Sequence, residues 1–320
     1  MPSEFDLIAR HFTQSTPATV LGPGDDCALV EPSPGKQLAV TTDMLVSGTH
    51  FLPQTDPERL GWKTLAVNLS DLAAMGARPR WATLAGSLPE ADEDWIASFC
   101  RGFFECASAF DIDLIGGDTT RGPLNLCVTA MGEVEPGQAL CRHGAQVGDD
   151  IWVSGQPGMA ALGLAHLHAR TQLPESWLHL CQRALEKPQP RITLGLGLVG
   201  VAHAAIDISD GLLADLGHIA ERSHLQARIF LTRLPSLPKG IDRALALDCL
   251  LAGGDDYELC CTAPVRQRST MAALAARLEL PLWRIGEMTA AAEGEAGKVS
   301  VLDADGQILS FSHRGFDHFG

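Results

Sequence analysis

The order of apolar and polar residues along the chain predicts alternating strands and helices. Short apolar runs predict strands at 37–43, 81–88, 113–115, 124–133, 150–154, 204–208 and 259–262. Longer runs with helical spacing predict helices at 4–12, 57–75, 90–110, 159–169, 175–186, 192–202, 212–224 and 266–278. Strands followed by helices in both halves predict an α/β protein with mixed sheets. A turn-rich stretch at 136–148 predicts two domains, residues 1–137 and 148–320.

The helix predicted at 57–75 carries one carboxylate in its long apolar stretch. Asp56 is placed to cap this helix, Pro57 suits its first position, and Gly76 is placed to end it. A helix that is apolar on all sides is usually buried, so Asp71 is expected near a core. A buried carboxylate needs a proton, a cationic side chain or a metal ion. No Lys or Arg lies in the run 64–77, which leaves a protonated structural carboxyl or a metal ligand.

Further acids are predicted where strands end or helices begin. They are Asp26, Asp43, Asp118, Asp207 and Asp210. The turn at 22–24 is expected to lead through Asp26 into an apolar strand. The strand at 37–43 is expected to be buried and to end in an acid, and the apolar strand at 113–115 is expected to end in glycines and Asp118. Strand ends are where α/β proteins place ligands. Such carboxylates in one cleft would repel one another, and several divalent cations would relieve that repulsion.

Oxygen ligands without a His or Cys cluster indicate Mg²⁺ or Ca²⁺ rather than zinc. Mg²⁺ usually completes its coordination with water and substrate phosphates, which predicts a nucleotide. The chain nevertheless lacks a Walker A sequence, protein-kinase motifs and a G-x-G-x-x-G motif after its first strand.

Charge, cysteine content and the N-terminal sequence indicate which partners and which cell compartment to expect. The net charge of -15 argues against nucleic acid, whose binding depends on Lys and Arg. The nine cysteines include no C-x-x-C pair, as expected for thiols in a reducing cytoplasm. The N-terminus has neither a signal peptide nor a membrane-spanning run, so we expect a soluble, cytoplasmic protein without a membrane partner.

The motifs together resemble one family over essentially the whole chain. The matching segments are 24–26, 41–51, 68–77, 116–120, 207–212 and 253–259. In this order and spacing they are similar to thiamine-monophosphate kinases, a family of the PurM-like superfamily that includes aminoimidazole-ribonucleotide synthetase. The resemblance implies two PurM-like domains, a homodimer paired through the N-terminal domain, and ATP-dependent phosphorylation of thiamine phosphate to thiamine diphosphate.

The resemblance also implies roles for individual residues. Those matching Mg²⁺ ligands of the family are Asp26, Thr41, Thr42, Asp43, Asp71, Asp118, Asp207 and Asp210. Those matching its ATP contacts are Gly117, Asp118, Arg142 and Ser209. Those matching its substrate contacts are His50, Glu258 and the tail aromatic Phe316, with Phe319 close by. Glu258 is suited to pair with either the thiazolium or the aminopyrimidine of thiamine, and an aromatic ring to stack on one of them.

Phosphoryl transfer depends on charge neutralisation and in-line positioning, so we expect direct transfer without a covalent nucleophile. One alternative is another ATP-using enzyme of the superfamily, such as aminoimidazole-ribonucleotide synthetase. Selenophosphate synthetase is less favoured, because no reactive Cys with a neighbouring Lys lies in the N-terminal glycine loop. The other alternative is a non-catalytic protein that binds divalent cations or nucleotides.

Overall fold

The structure, a computed structural model, describes residues 4–236, 238–311 and 315–316. Its contacts divide the chain into two compact units. The N-terminal unit comprises Met1–Leu72 and Ala77–Gly137, and the C-terminal unit comprises Ala73–Gly76 and Gln138–Gly320. Each contains helices and a mixed β-sheet, which confirms the predicted α/β class. Within the described ranges, no helix is long and apolar enough to cross a membrane.

A four-stranded sheet forms the centre of the N-terminal unit, in the order β1-β4-β2-β3. Its strands are β1 (Gln37–Val46), β2 (Arg78–Leu88), β3 (Asp113–Arg121) and β4 (Asn125–Val134). The helices are α1 (Glu4–Leu7), which continues as a π-helical turn through Ile8–Phe12, α2 (Pro57–Ala74) and α3 (Glu93–Ala109). Strands β2 and β3 are parallel, whereas β4 runs antiparallel to both β1 and β2.

The signals that predicted α2 are confirmed. Asp56 Oδ1 accepts hydrogen bonds from the amides of Glu58 and Arg59, at 3.0 and 3.1 Å, and so caps the helix. Gly76, beyond the last turn, has the left-handed φ of 64° that favours glycine at a helix end.

Two glycines let α2 and α3 approach backbone to backbone. A Cβ on Gly61 would lie 1.9 Å from the carbonyl oxygen of Phe99, and a Cβ on Gly102 would lie 1.6 Å from that of Glu58. Any larger side chain at either position would push the helices apart.

Two expectations for the first strands are wrong. The strand expected after Asp26 is a loop whose only pairings among the described residues are isolated bridges such as Leu21 with Leu29. Strand β1 exists but is not buried, since one of its faces exposes Leu38, Val40 and Met44 at 40%, 61% and 51%. An apolar run alone does not reveal whether a sheet face is covered within the same chain.

The C-terminal unit is built on a seven-stranded sheet in the order β11-β10-β7-β9-β5-β8-β6. Its strands are β5 (Asp150–Ser154), β6 (Ala204–Asp207), β7 (Leu225–Phe230), β8 (Leu259–Ala263), β9 (Leu282–Ala290), β10 (Val299–Leu302) and β11 (Ile308–Leu309). Its helices are α4 (Met159–Leu167), α5 (Glu175–Glu186), α6 (Ile192–Leu198), α7 (Leu212–Arg222), α8 (Arg243–Ala252) and α9 (Arg268–Leu278). Strands β7 and β10 are parallel, and the other neighbours are antiparallel.

Helix α7 packs against this sheet and fixes the chain that precedes it. Leu212, Leu216 and Ile219 are fully buried in a core that also contains Ile151 of β5 and Ile206 of β6. The segment between β6 and α7 is therefore held at both ends by buried apolar residues.

Candidate functional site

In the N-terminal unit, β1 and α2 bring together three of the predicted metal ligands. Thr41 and Asp43 alternate along β1, so they lie on the same face of the sheet. The Thr41 hydroxyl donates a hydrogen bond to the Asp71 carboxylate of α2. Asn68, which is 1% exposed, accepts from the Asp43 amide at 3.0 Å and ties β1 to the helix. We call Thr41, Asp43 and Asp71 the β1–α2 cluster.

The two carboxylates of the β1–α2 cluster lie close enough to perturb each other. Burial, and secondarily the charge of Asp71, raises the pKa of Asp43 from 3.8 to about 7. A bound cation would remove this repulsion and favour the ionised form. The cluster therefore fits an oxygen-ligated divalent cation.

Asp26, Gly117 and Asp118 line a separate cavity of about 920 Å³ in the same unit. Asp118 does not follow a strand as expected, because β3 continues to Arg121 in parallel register with β2. Gly117 makes this pairing possible, since a Cβ there would lie 1.8 Å from the carbonyl oxygen of Leu84. The exposed side chains of Asp26 and Asp118 leave two carboxylates facing a space large enough for a ligand.

Thr42 does not join the β1–α2 cluster. It follows Thr41 on β1, so its side chain lies on the opposite face of the sheet. There its hydroxyl oxygen is 2.8 Å from that of Thr129 on β4. Among the residues described, no three His, Cys, Asp or Glu side chains converge as a preformed metal cluster. The predicted ligands of this unit thus lie in separate places.

His50 follows β1 in a turn that determines its tautomer. Its Nδ1 accepts a hydrogen bond of 3.0 Å from the amide of Val46. A neutral imidazole whose Nδ1 accepts carries its proton on Nε2. The proton of the neutral ring is therefore on Nε2.

In the C-terminal unit, Asp207 ends β6 and is buried, while Ser209 and Asp210 lie in the segment before α7. Asp215, in the first turn of α7, holds this segment. One of its carboxylate oxygens accepts from the amides of Ser209, Asp210 and Gly211 at 3.1, 3.1 and 3.0 Å. These amides are thereby satisfied within the protein, so a ligand here would meet the side chains of Ser209 and Asp210.

Glu258 is buried and already paired. Arg191 donates from Nε to Oε2 at 2.7 Å and from Nη2 to Oε1, and the Ser154 hydroxyl also donates to Oε2. Burial lowers the pKa of Arg191, but the hydrogen bonds and charge of Glu258 outweigh it, so the pKa is raised overall. The sequence contained no signal for this pair, whose members are 67 positions apart.

Arg142 and Phe316 are both exposed. No described residue forms an ion pair with the Arg142 guanidinium, which leaves this cation accessible to an anion. The amide of Phe316 donates to the carbonyl oxygen of Asp210 at 3.0 Å, and the aromatic side chain is 54% exposed. The tail residue therefore lies beside the segment before α7. Phe319 lies outside the described residues.

Comparison with known proteins gives the same family for both units. Residues 24–134 match the family AIR synthase related protein, N-terminal domain, and residues 146–298 match AIR synthase related protein, C-terminal domain. The chain is 45% identical over 323 residues to thiamine-monophosphate kinase of Haemophilus influenzae, covering 99% of this chain and 98% of that protein.

Solved structures of thiamine-monophosphate kinases also match the chain over most of its length. The crystal structure of thiamine-monophosphate kinase from Stenotrophomonas maltophilia K279a has a TM-score of 0.85 and 52% identity, and covers 95% of each chain. A structure described as AaThiL complexed with AMPPCP and TMP has a TM-score of 0.77 and 30% identity, covering 98% of this chain and 96% of that chain. This chain belongs to the thiamine-monophosphate kinase family of AIR synthase related proteins.

Proposed function

We propose that this protein transfers the γ-phosphoryl group of ATP to thiamine phosphate and releases thiamine diphosphate and ADP. The main observation in support of the proposal is the similarity to thiamine-monophosphate kinases over nearly the full length of the chain. A family structure holding AMPPCP, an analogue of ATP, together with TMP supports this pair of substrates.

The residues of each unit have chemistry suited to this reaction. In the N-terminal unit, Mg²⁺ would be held by Asp43, Asp71 and the hydroxyl oxygen of Thr41, and further ions by Asp26 and Asp118. The hydroxyl of Thr42 lies on the opposite face of β1, beside Thr129, and is not proposed as a ligand. In the C-terminal unit it would be held by Asp207 and Asp210. Bound Mg²⁺ neutralises phosphate charge and so reduces repulsion between two anionic substrates.

The nucleotide contacts are proposed from accessible groups. Arg142 supplies an exposed guanidinium for a phosphate oxygen, and the Ser209 hydroxyl lies in the segment held by Asp215. Gly117 and Asp118 border the 920 Å³ cavity of the N-terminal unit. A phosphate near these carboxylates requires a cation, in keeping with the metal ligands proposed there.

Transfer is direct, with no phosphoenzyme. The acceptor oxygen of thiamine phosphate is anionic near neutral pH, so it needs no strong general base. His50 donates from Nε2 to the acceptor phosphate and orients it. Phe316 offers an exposed ring for stacking on thiamine.

We also propose that two copies of the chain pair through the N-terminal sheet. The exposed row Leu38, Val40 and Met44 on β1 is an apolar face that a second copy would cover. All nine cysteines are free thiols, which supports a cytoplasmic location.

The test is a coupled assay for ADP, with thiamine diphosphate identified by chromatography. ADP release that depends strictly on thiamine phosphate is expected. Asp71→Asn keeps the shape of the side chain but removes its charge, and should lower turnover by at least about a hundredfold. The matched control, Asp94→Asn on the exposed first turn of α3, should leave turnover unchanged. ATP binding without turnover would instead favour a non-catalytic nucleotide-binding protein.

A further inference from the structure

The loop between α8 and β8 contains two residues in a backbone conformation that most side chains disfavour. Asp255 has a φ of 68° and Tyr257 a φ of 52°, both in the left-handed region. Asp tolerates this region because its short side chain can form local hydrogen bonds, whereas a bulky residue such as Tyr rarely adopts it. Such strain persists only where the surrounding contacts determine the conformation, and it is concentrated at functional sites.

The two left-handed residues direct their amides to the segment before α7. The Asp255 amide donates to the carbonyl oxygen of Ser209, and the Tyr257 amide donates to that of Ile208, both at 2.8 Å. Gly254 lies against the same segment, because a Cβ there would be 2.3 Å from the Ser209 carbonyl oxygen. The loop therefore holds the carbonyl groups of this segment.

As a result, every backbone polar group of Ser209 and Asp210 has a partner. Asp215 accepts from both amides, and the carbonyl oxygen of Asp210 accepts from the amide of Phe316 at 3.0 Å. The Asp255 amide supplies the partner for the last group, the carbonyl oxygen of Ser209. A main chain held at each of these groups leaves the two side chains only the rotations about their own bonds. The loop thus determines their position together with α7.

One hydrogen bond between side chains closes the strained loop. Tyr257 is 8% exposed and is the only tyrosine in the chain. Its hydroxyl group donates to Oδ1 of Asp255 at 2.9 Å. This bond spans Asp256, whose carboxylate accepts from the amides of Gly158 and Ala160 at the start of α4, at 2.6 and 3.3 Å. The hydroxyl bond therefore stabilises the conformation in which both amides face the segment before α7.

We propose that Asp255 and Tyr257 are positioning residues for phosphoryl transfer. Their mutual hydrogen bond maintains the left-handed loop, and the loop sets the positions of the Ser209 and Asp210 side chains. The inference rests on the proposed function, in which these two side chains contact ATP and Mg²⁺. Neither Asp255 nor Tyr257 contacts a substrate in this proposal.

Tyr257→Phe removes only the hydroxyl group that closes the loop. Since a displacement of about 1 Å at an active site can lower a rate about a hundredfold, we expect kcat to fall by at least about tenfold. The KM values for ATP and for thiamine phosphate should each change by less than about threefold, because the binding groups are displaced but still present. The melting temperature should fall by less than about 4 °C, as for the loss of one hydrogen bond in a protein of this size.

Thr270→Val is the matched control. The Thr270 hydroxyl, exposed on α9 of the same unit, also donates to a side chain, Oε1 of Gln267 at 2.7 Å. The control therefore deletes one hydroxyl hydrogen bond on a different helix. Its kcat should stay within about twofold of the wild-type value.

Substitutions of Asp255 separate the hydrogen bond from the backbone strain and from the charge. Asn keeps an acceptor oxygen and tolerates the left-handed region, so Asp255→Asn should keep kcat within about threefold of wild type. Gly adopts this conformation without strain but offers no acceptor, so Asp255→Gly should lose as much as Tyr257→Phe. The double variant should be no slower than either single variant, because two residues that act through one bond do not have additive effects.

The kinetics of these variants decide the assignment. Wild-type kcat in Tyr257→Phe, or a loss that the unfolded fraction measured by circular dichroism fully explains, would overturn it. If Asp255→Asn is as slow as Asp255→Gly, Asp255 acts through its charge and the assignment is wrong. Losses that multiply in the double variant would also contradict it, since the two residues would then act independently.

The test does not depend on every variant folding. If Asp255→Gly does not fold, Tyr257→Phe and Asp255→Asn still decide whether the hydrogen bond positions the segment. A wild-type protein that releases no ADP in the presence of thiamine phosphate would instead overturn the proposed function on which the inference rests.

Discussion

Replacing Asp215 with Asn should make the protein more stable, and increasingly so as the pH rises. Asp215 is 3% exposed, and burial raises its pKa from 3.8 to about 7, although the amides of residues 209–211 act in the opposite direction. Between pH 3.8 and about pH 7, Asp215 is protonated in the folded protein, whereas in the unfolded chain it has released its proton. The stability contributed by this group is therefore complete below pH 4 and is lost as the pH rises towards 7.

The size of the effect follows from the width of that interval. Each pH unit in which only the folded state is protonated costs about 1.4 kcal/mol. Asn cannot titrate, and its carbonyl oxygen can still accept from the three amides. The stability of Asp215→Asn relative to wild type should thus grow by roughly 3 kcal/mol between pH 5 and pH 8, since about two units of that range lie below the folded pKa.

Urea unfolding followed by circular dichroism at pH 5, 6, 7 and 8 would measure this difference, with EDTA present to exclude divalent cations. Asp94→Asn, the same change on an exposed acid of α3, should show no such trend. A stability difference for Asp215→Asn that stays constant from pH 5 to pH 8 would refute the reasoning. It would mean that the three amides stabilise the carboxylate as much as burial disfavours it.

Four further outcomes are expected. Gly117→Ala should lower the melting temperature, because overpacking against the Leu84 carbonyl costs about 1–3 kcal/mol; an unchanged melting curve would contradict the close contact. Phe316→Ala should raise the KM for thiamine phosphate by about fivefold through lost stacking, and an equal rise for ATP would indicate a general effect. Val40→Asp should convert a dimer to a monomer in sedimentation velocity, and a dimer that persists would exclude the β1 face as the interface. Transfer from ATP with a chiral γ-thiophosphate should invert configuration at phosphorus, whereas retention would require a phosphoenzyme.

Local signals predicted the α-helices of the described residues except α8 (Arg243–Ala252), which no pattern in the sequence indicated. Asp56, Pro57 and Gly76 bounded α2 correctly, because capping and the left-handed helix end depend on the nearest few residues. The same locality explains the error at Asp118. The two glycines before Asp118 indicated the end of a strand, but β3 continues because it pairs with the parallel strand β2. A local sequence pattern does not show which strand will be the partner.

The candidate site was predictable only in part. The motif spacing assigned Asp43 and Asp71 the same expected role, as metal ligands. The structure places both residues in the β1–α2 cluster. The residues that hold functional groups in place were not identified. Asn68, Arg191 and Asp215 act through hydrogen bonds to partners whose positions only the folded chain determines. Similarly, burial of Glu258 within an ion pair cannot be derived from an apolar–polar pattern.

The glycine contacts between α2 and α3 restrict how this protein can change during evolution. Because Gly61 and Gly102 bring the two backbones together, α2 cannot slide along its axis without losing that contact. Asp71 should therefore keep the same position relative to the sheet in every variant that retains the two glycines. Laboratory selection for new phosphate acceptors should accordingly accumulate substitutions in the loop at 27–30, beyond the proposed ligand Asp26, sooner than in α2, since the loop can adopt new conformations without separating two helices.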